Sequence, residues 1–273
     1  MTPSAPLYEI NRDENHVYHL MPEDRWLPGT TTVLDAKGKP FLAAWKVADL
    51  CERLGVKKAT EAKVGWKQPR YTGGLWKPGV SYTADEIAKT VNEARAGAFK
   101  KSEKAKSIGT DAHSWVEAAI MAEIRGAQYP AMPTDPEAAC SAMAWMGWRE
   151  GVKVEWMASE QVVGSREHVY AGTLDALAMV GGKPYIIDVK TSAAVYSDYW
   201  VQVSAYLNAW REQFADDIPY ERAVLRLPKD GKAAEWVVAP GWATHDLCWE
   251  SFRGLLAVYR FDCADDAARE AGR

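Results

Sequence analysis

The sequence contains no long apolar run. None of its hydrophobic stretches approaches the roughly 20 residues that a membrane-spanning helix needs. Its first residues, MTPSAPLYEINRDENH, also lack the basic segment and apolar run that together mark a secretory signal. We therefore expect a cytoplasmic protein that has no membrane partner.

Cysteine is scarce and scattered. The chain has four cysteines, which are Cys51, Cys140, Cys248 and Cys263. None of them stands at the close spacing that zinc sites and iron–sulfur clusters typically show. We therefore expect isolated reduced thiols and no iron–sulfur cluster. The sequence also lacks internal repeats and low-complexity tracts, which excludes solenoid and fibrous architectures.

Basic residues are not in excess. The chain has 33 Lys and Arg against 37 Asp and Glu, a net charge of -4, so the molecule as a whole would not attract a polyanion. Cations do gather with aromatic residues in a Gly- and Pro-rich stretch that ends near residue 82, and the candidates there are Lys67, Arg70, Tyr71 and Trp76. We predict a long loop that binds single-stranded DNA or a frayed duplex end, with bases stacked on its rings. An ordinary solvated surface is the alternative.

The composition is otherwise that of a globular protein, with 48% hydrophobic and 26% charged residues. Apolar residues at helical spacing predict four helices in the first half of the chain, over residues 39–55, 83–104, 110–125 and 135–148. Thr83 and Glu86 form a capping-box pattern at the start of the second helix, and Gly109 is predicted to separate the second helix from the third.

Alternating hydrophobicity marks the second half of the chain. It predicts strands over residues 152–163, 171–180 and 184–190 and two more near 221–227 and 234–239. A helix that contains DYWVQVSAYLNAW is predicted between these two groups of strands, and a last helix over 244–261. We therefore predict an α/β fold with a central mixed β-sheet flanked by helices and a helical N-terminal region. The predicted division is an N-terminal region over residues 1–107 and a core over 108–273, which together form one compact unit.

Two aspartates and a lysine stand on one predicted hairpin, YAGTLDALAMVGGKPYIIDVKTS. If Gly181 and Gly182 form its two-residue turn, Asp175 lies directly opposite Asp188, with their Cβ atoms about 5 Å apart. Two like charges at this distance repel by roughly 3 kcal/mol at an effective dielectric constant near 20. Lys190 projects from the same face as Asp188, but one ammonium cannot balance two carboxylates. A hard divalent cation would balance them, so we predict a Mg²⁺ or Mn²⁺ site; a solvent-facing ion pair is the alternative.

These residues belong to an ordered series of motifs, which are GTDAH at 109–113, GTLD at 172–175, IDVKTS at 187–192 and QVSAY at 202–206. The series resembles that of the RecB-like branch of the PD-(D/E)XK nuclease superfamily. TTVLDAKGKPFLAAW, at 31–45, is similar to phage exonucleases related to the mitochondrial genome maintenance exonuclease. The resemblance covers about residues 31–210 and implies a restriction-endonuclease-like core.

The resemblance also implies roles for individual residues. Asp175 and Asp188 would bind the catalytic metal, and Lys190 would position or activate the water that attacks the phosphodiester. His113 corresponds to an additional histidine ligand of the RecB-like branch. Glu117, four residues on and so on the same helix face, is either a second ligand or a hydrogen-bond partner of the ring.

A glutamine and a tyrosine complete the implied site. The resemblance places Gln202 and Tyr206 beside the active site, with Gln202 counted among the catalytic residues and Tyr206 among those that contact nucleic acid. Packing of an amphipathic helix on the sheet is the alternative explanation for Tyr206. Glu160, on the strand before the hairpin, is either a further acid of the site or a residue of its rim.

The implied activity is that of a Mg²⁺- or Mn²⁺-dependent deoxyribonuclease that degrades DNA from its ends. It would serve phage-type DNA recombination, repair or replication in a bacterial or phage-infected cell. Expected partners are DNA ends or single-stranded DNA, and a phage recombinase or a single-strand-binding protein. The alternatives are a catalytically silent nucleic-acid-binding protein on the same scaffold and a structure-specific endonuclease. The presence of both aspartates and the lysine favours an enzyme.

Overall fold

The computed structural model describes residues 5–37, 57–58, 71–72 and 83–271. Contacts within the chain define two units, of which the first joins Met1–Lys37 to Ile108–Arg273 and the second is Gly38–Ser107. The first unit therefore combines segments from both ends of the chain. The predicted division at residue 107, within one compact unit, stays a prediction.

The strands are β1 (Ile10–Arg12), β2 (Tyr18–Leu20), β3 (Arg25–Leu27), β4 (Lys57–Lys58), β5 (Tyr71–Thr72), β6 (Val154–Ser165), β7 (Tyr170–Val180), β8 (Lys183–Lys190), β9 (Glu221–Arg226) and β10 (Glu235–Val238). The helices are α1 (Thr30–Asp35), α2 (Ala84–Arg125), α3 (Pro136–Glu150), α4 (Ser197–Phe214) and α5 (His245–Ala271).

Five strands form the central sheet, in the order β10-β9-β8-β7-β6. All neighbours are antiparallel except β8 and β9, which run parallel. Residues of α2 and α3, among them Ile120 and Trp145, form a core on one face of the sheet, and residues of α4 and α5, among them Trp210 and Phe252, form a core on the other. The predicted α/β fold with a mixed sheet flanked by helices is confirmed.

The N-terminal segment contributes a small sheet of its own. Strands β1, β2 and β3 pair in sequence order, and α1 follows them directly. Gly29 forms an isolated parallel bridge with Ala171 of β7, which joins this segment to the central sheet. The finer expectation of a helical N-terminal region stays a prediction.

A tight turn joins β7 to β8. Gly181 and Gly182 have φ angles of +59° and +86°, which suit the two-residue turn that the sequence predicts. Val180 pairs with Lys183 across the turn. The predicted hairpin register is therefore confirmed.

Strands β8 and β9 are connected by α4, as a parallel pair requires a crossover. Because the two strands are parallel, their carboxyl ends lie at the same edge of the sheet. Lys190 pairs with Arg226 there, and the Leu227 N–H donates to the Lys190 carbonyl at 2.7 Å. We call this edge, formed by residues 190–192 and 226–229, the carboxyl edge.

Helix α2 runs without a break from Ala84 to Arg125, so the predicted interruption at Gly109 is wrong. A glycine inside a helix costs only about 1 kcal/mol relative to alanine, which the rest of a long helix can offset. A Cβ atom at position 109 would lie 3.3 Å from Thr191 Oγ1. Glycine therefore permits a close approach between the helix and the carboxyl edge.

The start of α2 has the predicted capping box. The Thr83 N–H donates to Glu86 Oε2 at 2.8 Å, and the Glu86 N–H donates to Thr83 Oγ1 at 3.2 Å. The helix predicted over residues 39–55 lies outside the described residues. Within the part of the chain that is described, no helix combines the length and the apolar character that a membrane crossing demands.

Candidate active site

Asp188 is the buried centre of the site. It lies on β8 with only 1% of its side chain exposed, and its Oδ1 accepts a hydrogen bond from Lys190 Nζ at 2.7 Å. Its Oδ2 is also buried and has no hydrogen-bond partner among the described residues. Buried carboxylate oxygens are normally hydrogen-bonded, and leaving one unsatisfied is costly. Asp188 therefore has one oxygen ready for a further ligand.

Electrostatic compensation at Asp188 is incomplete. Burial raises the pKa of Asp188 to about 6; the Lys190 charge opposes this rise and the Asp175 charge adds to it. Burial alone would lower the pKa of Lys190, but the charges of Asp188 and Asp175 outweigh it and hold that pKa above its usual value. Lys190 is therefore an ammonium at neutral pH, and its charge does not offset the burial of the carboxylate.

Asp175 lies where the β7–β8 ladder ends. The final pair of this ladder joins Ala176 to Ile187, so Asp175 and Asp188 are the next residues along the two strands. The Asp175 side chain is 18% exposed, and its Oδ2 accepts the Val189 N–H at 2.6 Å. The first carboxylate is therefore fixed by the backbone of β8 at the point where the ladder ends.

His113 of α2 reaches the same point. Its Nε2 lies 2.6 Å from the Val189 carbonyl oxygen and 3.9 Å from Asp175 Oδ2, and its Nδ1 lies 2.9 Å from the Gly109 carbonyl oxygen. A neutral imidazole has a single N–H, so it can donate to only one of the two carbonyls. The ring is held by backbone carbonyls and not by Glu117, and it places one nitrogen beside the Asp175 carboxylate.

Glu117 and Glu160 add negative charge near Asp175. Glu160 lies between the pairs Ser159–Ala176 and Gln161–Leu174 of the β6–β7 ladder, with a left-handed φ of +48°. Its side chain forms an ion pair with Arg12 at 3.4 Å. Burial raises the pKa of Glu160 to about 7, and the charges of Asp175 and Glu117 add to this rise. The Glu160 carboxyl is therefore close enough to Asp175 and Glu117 for both to act on its pKa.

The donor set fits a hard divalent cation better than a metal that needs a full set of protein ligands. Among the described residues, no three His, Cys, Asp or Glu side chains form a cluster with metal-site geometry. Mg²⁺, however, commonly takes one or two carboxylates and completes its shell with water or substrate oxygens. Asp188 Oδ2, which lacks a partner, and the carboxylate of Asp175 are oxygen donors of this kind.

Gln202 and Tyr206 lie on α4, one helical turn apart, and both are buried. Gln202 Nε2 donates to the Tyr206 hydroxyl at 2.8 Å, so its amide is directed at Tyr206. Burial raises the pKa of Tyr206 well above its usual value, and the charges of Asp188 and Asp175 add to the rise. Tyr206 is therefore near both aspartates, and it is also a packed core residue.

Gly172 explains how Tyr206 comes so close to β7. A Cβ atom at position 172 would lie 2.5 Å from Tyr206 Cε1 and 2.8 Å from Thr30 Oγ1. Thr30 Oγ1 in turn donates to the Ala171 carbonyl at 2.9 Å. The glycine of the GTLD motif is therefore required by the packing of α1 and α4 against the strand.

Sequence reasoning missed two side chains at the site. Tyr199 lies with its ring centroid 5.1 Å from Lys190 Nζ, and Arg12 Nη1 donates to Thr173 Oγ1 at 2.8 Å. Tyr199 could have been found, because it precedes Gln202 by three residues on the same face of α4. Arg12 has no such signal, since it reaches the site only through the packing of β1 near β6 and β7.

The predicted nucleic-acid-binding loop is largely outside the described residues. Lys67, Arg70 and Trp76 are all outside the described residues. Tyr71 is a residue of β5, and its backbone pairs with that of Lys58 in β4. The roles of these four residues stay predictions.

Comparison with protein-family models gives no match for the chain, and comparison with curated proteins gives none either. The chemistry of the site therefore rests on its own residues. Those residues are two carboxylates, an ammonium and an imidazole, brought together from two strands of the central sheet and one helix.

Proposed function

We propose that the protein is a metal-dependent nuclease of the PD-(D/E)XK superfamily, in its RecB-like branch, that hydrolyses DNA from its ends. One observation carries the proposal. Buried Asp188 has one oxygen on the Lys190 ammonium and the other without a partner among the described residues, and Asp175 stands across the hairpin. A five-stranded mixed sheet with these groups at its centre is compatible with a restriction-endonuclease-like core.

The cost of this arrangement supports a functional reason for it. A carboxyl whose pKa is higher in the folded than in the unfolded state opposes folding once it ionises. The rise from 3.8 to about 6 at Asp188 corresponds to about 3 kcal/mol at neutral pH. Apolar side chains would pack there without this penalty. Active sites commonly retain such destabilising groups because the chemistry needs them.

Asp175 and Asp188 would hold the cation, and the His113 ring of α2 would lie beside Asp175. A bound Mg²⁺ or Mn²⁺ would supply positive charge for the phosphoryl oxygens of the transition state. The two strands fix both carboxylates before any substrate arrives, and such preorganisation is what makes charge stabilisation effective. His113 keeps a ring nitrogen within 3.9 Å of the Asp175 carboxylate.

Lys190 acts in this scheme as a donor of hydrogen bonds. Because its pKa is held above the usual value, it carries its proton at neutral pH and cannot take one from water. Its ammonium can orient the attacking water or contact a phosphoryl oxygen. Its contact with Asp188 at 2.7 Å and the Tyr199 ring limit its movement.

A cleavage assay tests the proposal. End-labelled linear DNA and covalently closed circular DNA are incubated with Mg²⁺ or Mn²⁺ and the wild-type protein, Asp188→Asn or Lys190→Ala. Asp246→Asn, an exposed aspartate of α5, is the matched control. We expect degradation of linear DNA only, a loss of a hundredfold or more in both site variants, roughly as when one charge-stabilising group is removed from an active site, and full activity in the control.

Other outcomes separate the alternatives. Cutting of circular DNA would favour an endonuclease. Binding of DNA without any cutting would favour a catalytically silent nucleic-acid-binding protein. Equal activity in the wild type and both site variants would contradict the proposed site.

A further inference from the structure

A second lysine lies at the carboxyl edge. Lys229 follows β9 in the segment Leu227-Pro228-Lys229, beside the segment that follows β8. The Leu227 N–H donates to the Lys190 carbonyl at 2.7 Å, so the two segments leave the sheet side by side. Ligands of α/β proteins commonly bind outside the carboxyl ends of parallel strands.

The backbone before Lys229 is held in place from α3. Ser141, which is fully buried, has its Oγ 3.2 Å from the Leu227 carbonyl oxygen and 3.4 Å from that of Pro228. The hydroxyl has one proton and donates to one of these carbonyls at a time, and the Glu137 carbonyl at 3.4 Å also lies within reach. Its contacts tie α3 to the segment that precedes the lysine. Lys229 projects from a fixed segment and not from the exposed tip of the turn.

The Lys229 ammonium is close to the candidate active site. A Cβ atom at Gly109 would lie 3.3 Å from Thr191 Oγ1 and 3.9 Å from Lys229 Nζ. Thr191 follows Lys190 in the chain, and the Gly109 carbonyl faces the His113 ring at 2.9 Å. The ammonium therefore lies where the end of β8 meets the helical turn that carries His113.

The surroundings of Lys229 differ from those of a surface lysine. It is half-buried; burial lowers its pKa, and the charges of Glu137 and Asp135 oppose that change. Asp135 also accepts the Glu137 N–H at 2.8 Å as the cap of α3. Lys232, three residues on, is exposed and forms an ion pair with Asp230 at 2.5 Å. A phosphate would favour the charged form of Lys229, which burial disfavours.

We propose that Lys229 binds a backbone phosphate of the nucleic acid adjacent to the phosphate that is cut. The strand would then run along the carboxyl edge, from Lys190 past Thr191 to Lys229. This inference rests on the proposed nuclease function. It names one element of substrate recognition, a phosphate contact that does not depend on base sequence.

Binding and cutting are measured separately to test it. Fluorescence anisotropy with labelled oligothymidylate and with a blunt duplex is recorded with Mg²⁺ over a range of salt concentrations, in a Lys190→Ala background that prevents cutting. Lys229→Gln is compared with Lys229→Arg and with the control Lys232→Gln. In the otherwise wild-type chain, KM and kcat for cleavage and the melting temperature are measured for the same variants.

Lys229→Gln should weaken binding roughly three- to tenfold and reduce the slope of log affinity against log salt by about 0.7 for the single strand or about 0.9 for the duplex. Lys229→Arg should keep most of the affinity and most of the salt slope. Lys232→Gln should have the same affinity and the same slope as the parent protein. For cleavage, Lys229→Gln should raise KM and leave kcat nearly unchanged.

A salt slope that is the same in Lys229→Gln and Lys232→Gln overturns the role of Lys229, whether or not the enzyme cuts DNA. A lower melting temperature with an unchanged slope shows a purely structural residue and overturns it as well. If the wild type binds DNA without cutting it, the nuclease proposal fails, while a reduced slope still supports the phosphate contact. If the protein binds neither DNA, both proposals fail.

Discussion

At the scale of single residues, burial and the neighbouring ammonium have opposite effects on the pKa of Asp188. Its burial favours the protonated acid, while the Lys190 ammonium favours the carboxylate, and burial has the larger effect on its pKa. The neighbouring lysine has its pKa raised, so the ion pair forms but does not compensate for the lost solvation. A cation on the unpartnered oxygen would resolve the conflict.

The pH dependence of stability follows from this pKa. Because the folded-state pKa of Asp188 lies above 3.8, this group adds stability at low pH and loses it as the pH rises through about 6. Asp188→Asn cannot titrate. Without divalent ions, the unfolding free energy of the wild type minus that of the variant should therefore rise by up to about 3 kcal/mol between neutral pH and pH of about 4.

Denaturant unfolding of both proteins across this pH range measures the difference directly. Glu160 and other titrating groups are present in both proteins, so their contributions largely cancel. A difference that does not change with pH would show that Asp188 has an ordinary pKa.

The sequence was most informative for residues on the hairpin. Counting from Gly181 and Gly182 was enough to place Asp175 opposite Asp188, because a two-residue turn determines the register. The position of Glu160 was not predictable in the same way. Glu160 depends on a left-handed backbone, which costs a non-glycine residue roughly 1–2 kcal/mol and has no sequence signature here.

At the scale of secondary-structure elements, packing against β7 depends on Gly172. A methyl group there would overlap Tyr206 of α4 and Thr30 of α1. We expect Gly172→Ala to lower the unfolding free energy by about 1–3 kcal/mol through overpacking and to reduce DNA cleavage, because Tyr206 lies beside the aspartates. Thermal or denaturant unfolding measures the first effect, and the cleavage assay the second.

Gly147 of α3 provides the control for this substitution. A Cβ atom at position 147 meets no described atom within 4 Å, so Gly147→Ala should be neutral or stabilise the helix by up to about 1 kcal/mol. If Gly172→Ala and Gly147→Ala have the same unfolding free energy, the close packing around Gly172 does not require a glycine there.

Element types were predictable, and their boundaries less so. Alternating hydrophobicity indicates β6, β7 and β8, and the pair of glycines indicates the turn. The rule that a glycine marks a turn or the end of a helix was wrong at Gly109, which lies inside α2. A single sequence does not distinguish a glycine that ends a helix from one that lets a helix approach a neighbouring strand.

For the whole molecule, the net charge of -4 makes local cations decisive for binding DNA. Lys67 and Arg70 lie outside the described residues, and their role rests on the sequence. We expect exchange of both for Glu to weaken DNA binding and to flatten its salt dependence, because each lost phosphate contact lowers the slope by roughly 0.7–0.9. Affinity measured across salt concentrations tests this, and unchanged binding would remove the loop from the substrate path.

The overall architecture could be predicted because its signals are local. Helical and alternating periods indicate a mixed sheet flanked by helices, and the crossover through α4 follows from the order of elements. Arg12 and Lys229 could not be predicted, since each reaches the site from a distant part of the chain. Their positions depend on how β1 and the end of β9 pack.

Uptake of a divalent cation by the intact protein tests the central claim most directly. Mn²⁺ is titrated calorimetrically at neutral pH into the wild type, Asp175→Asn, Asp188→Asn and the Asp246→Asn control, each with and without DNA. We predict saturable binding by the wild type and the control and its loss in both site variants, with the affinity falling as the pH is lowered through about 6, where Asp188 takes up its proton. Absence of binding by the wild type even beside DNA, or equal binding by all four proteins, would contradict a metal site between Asp175 and Asp188.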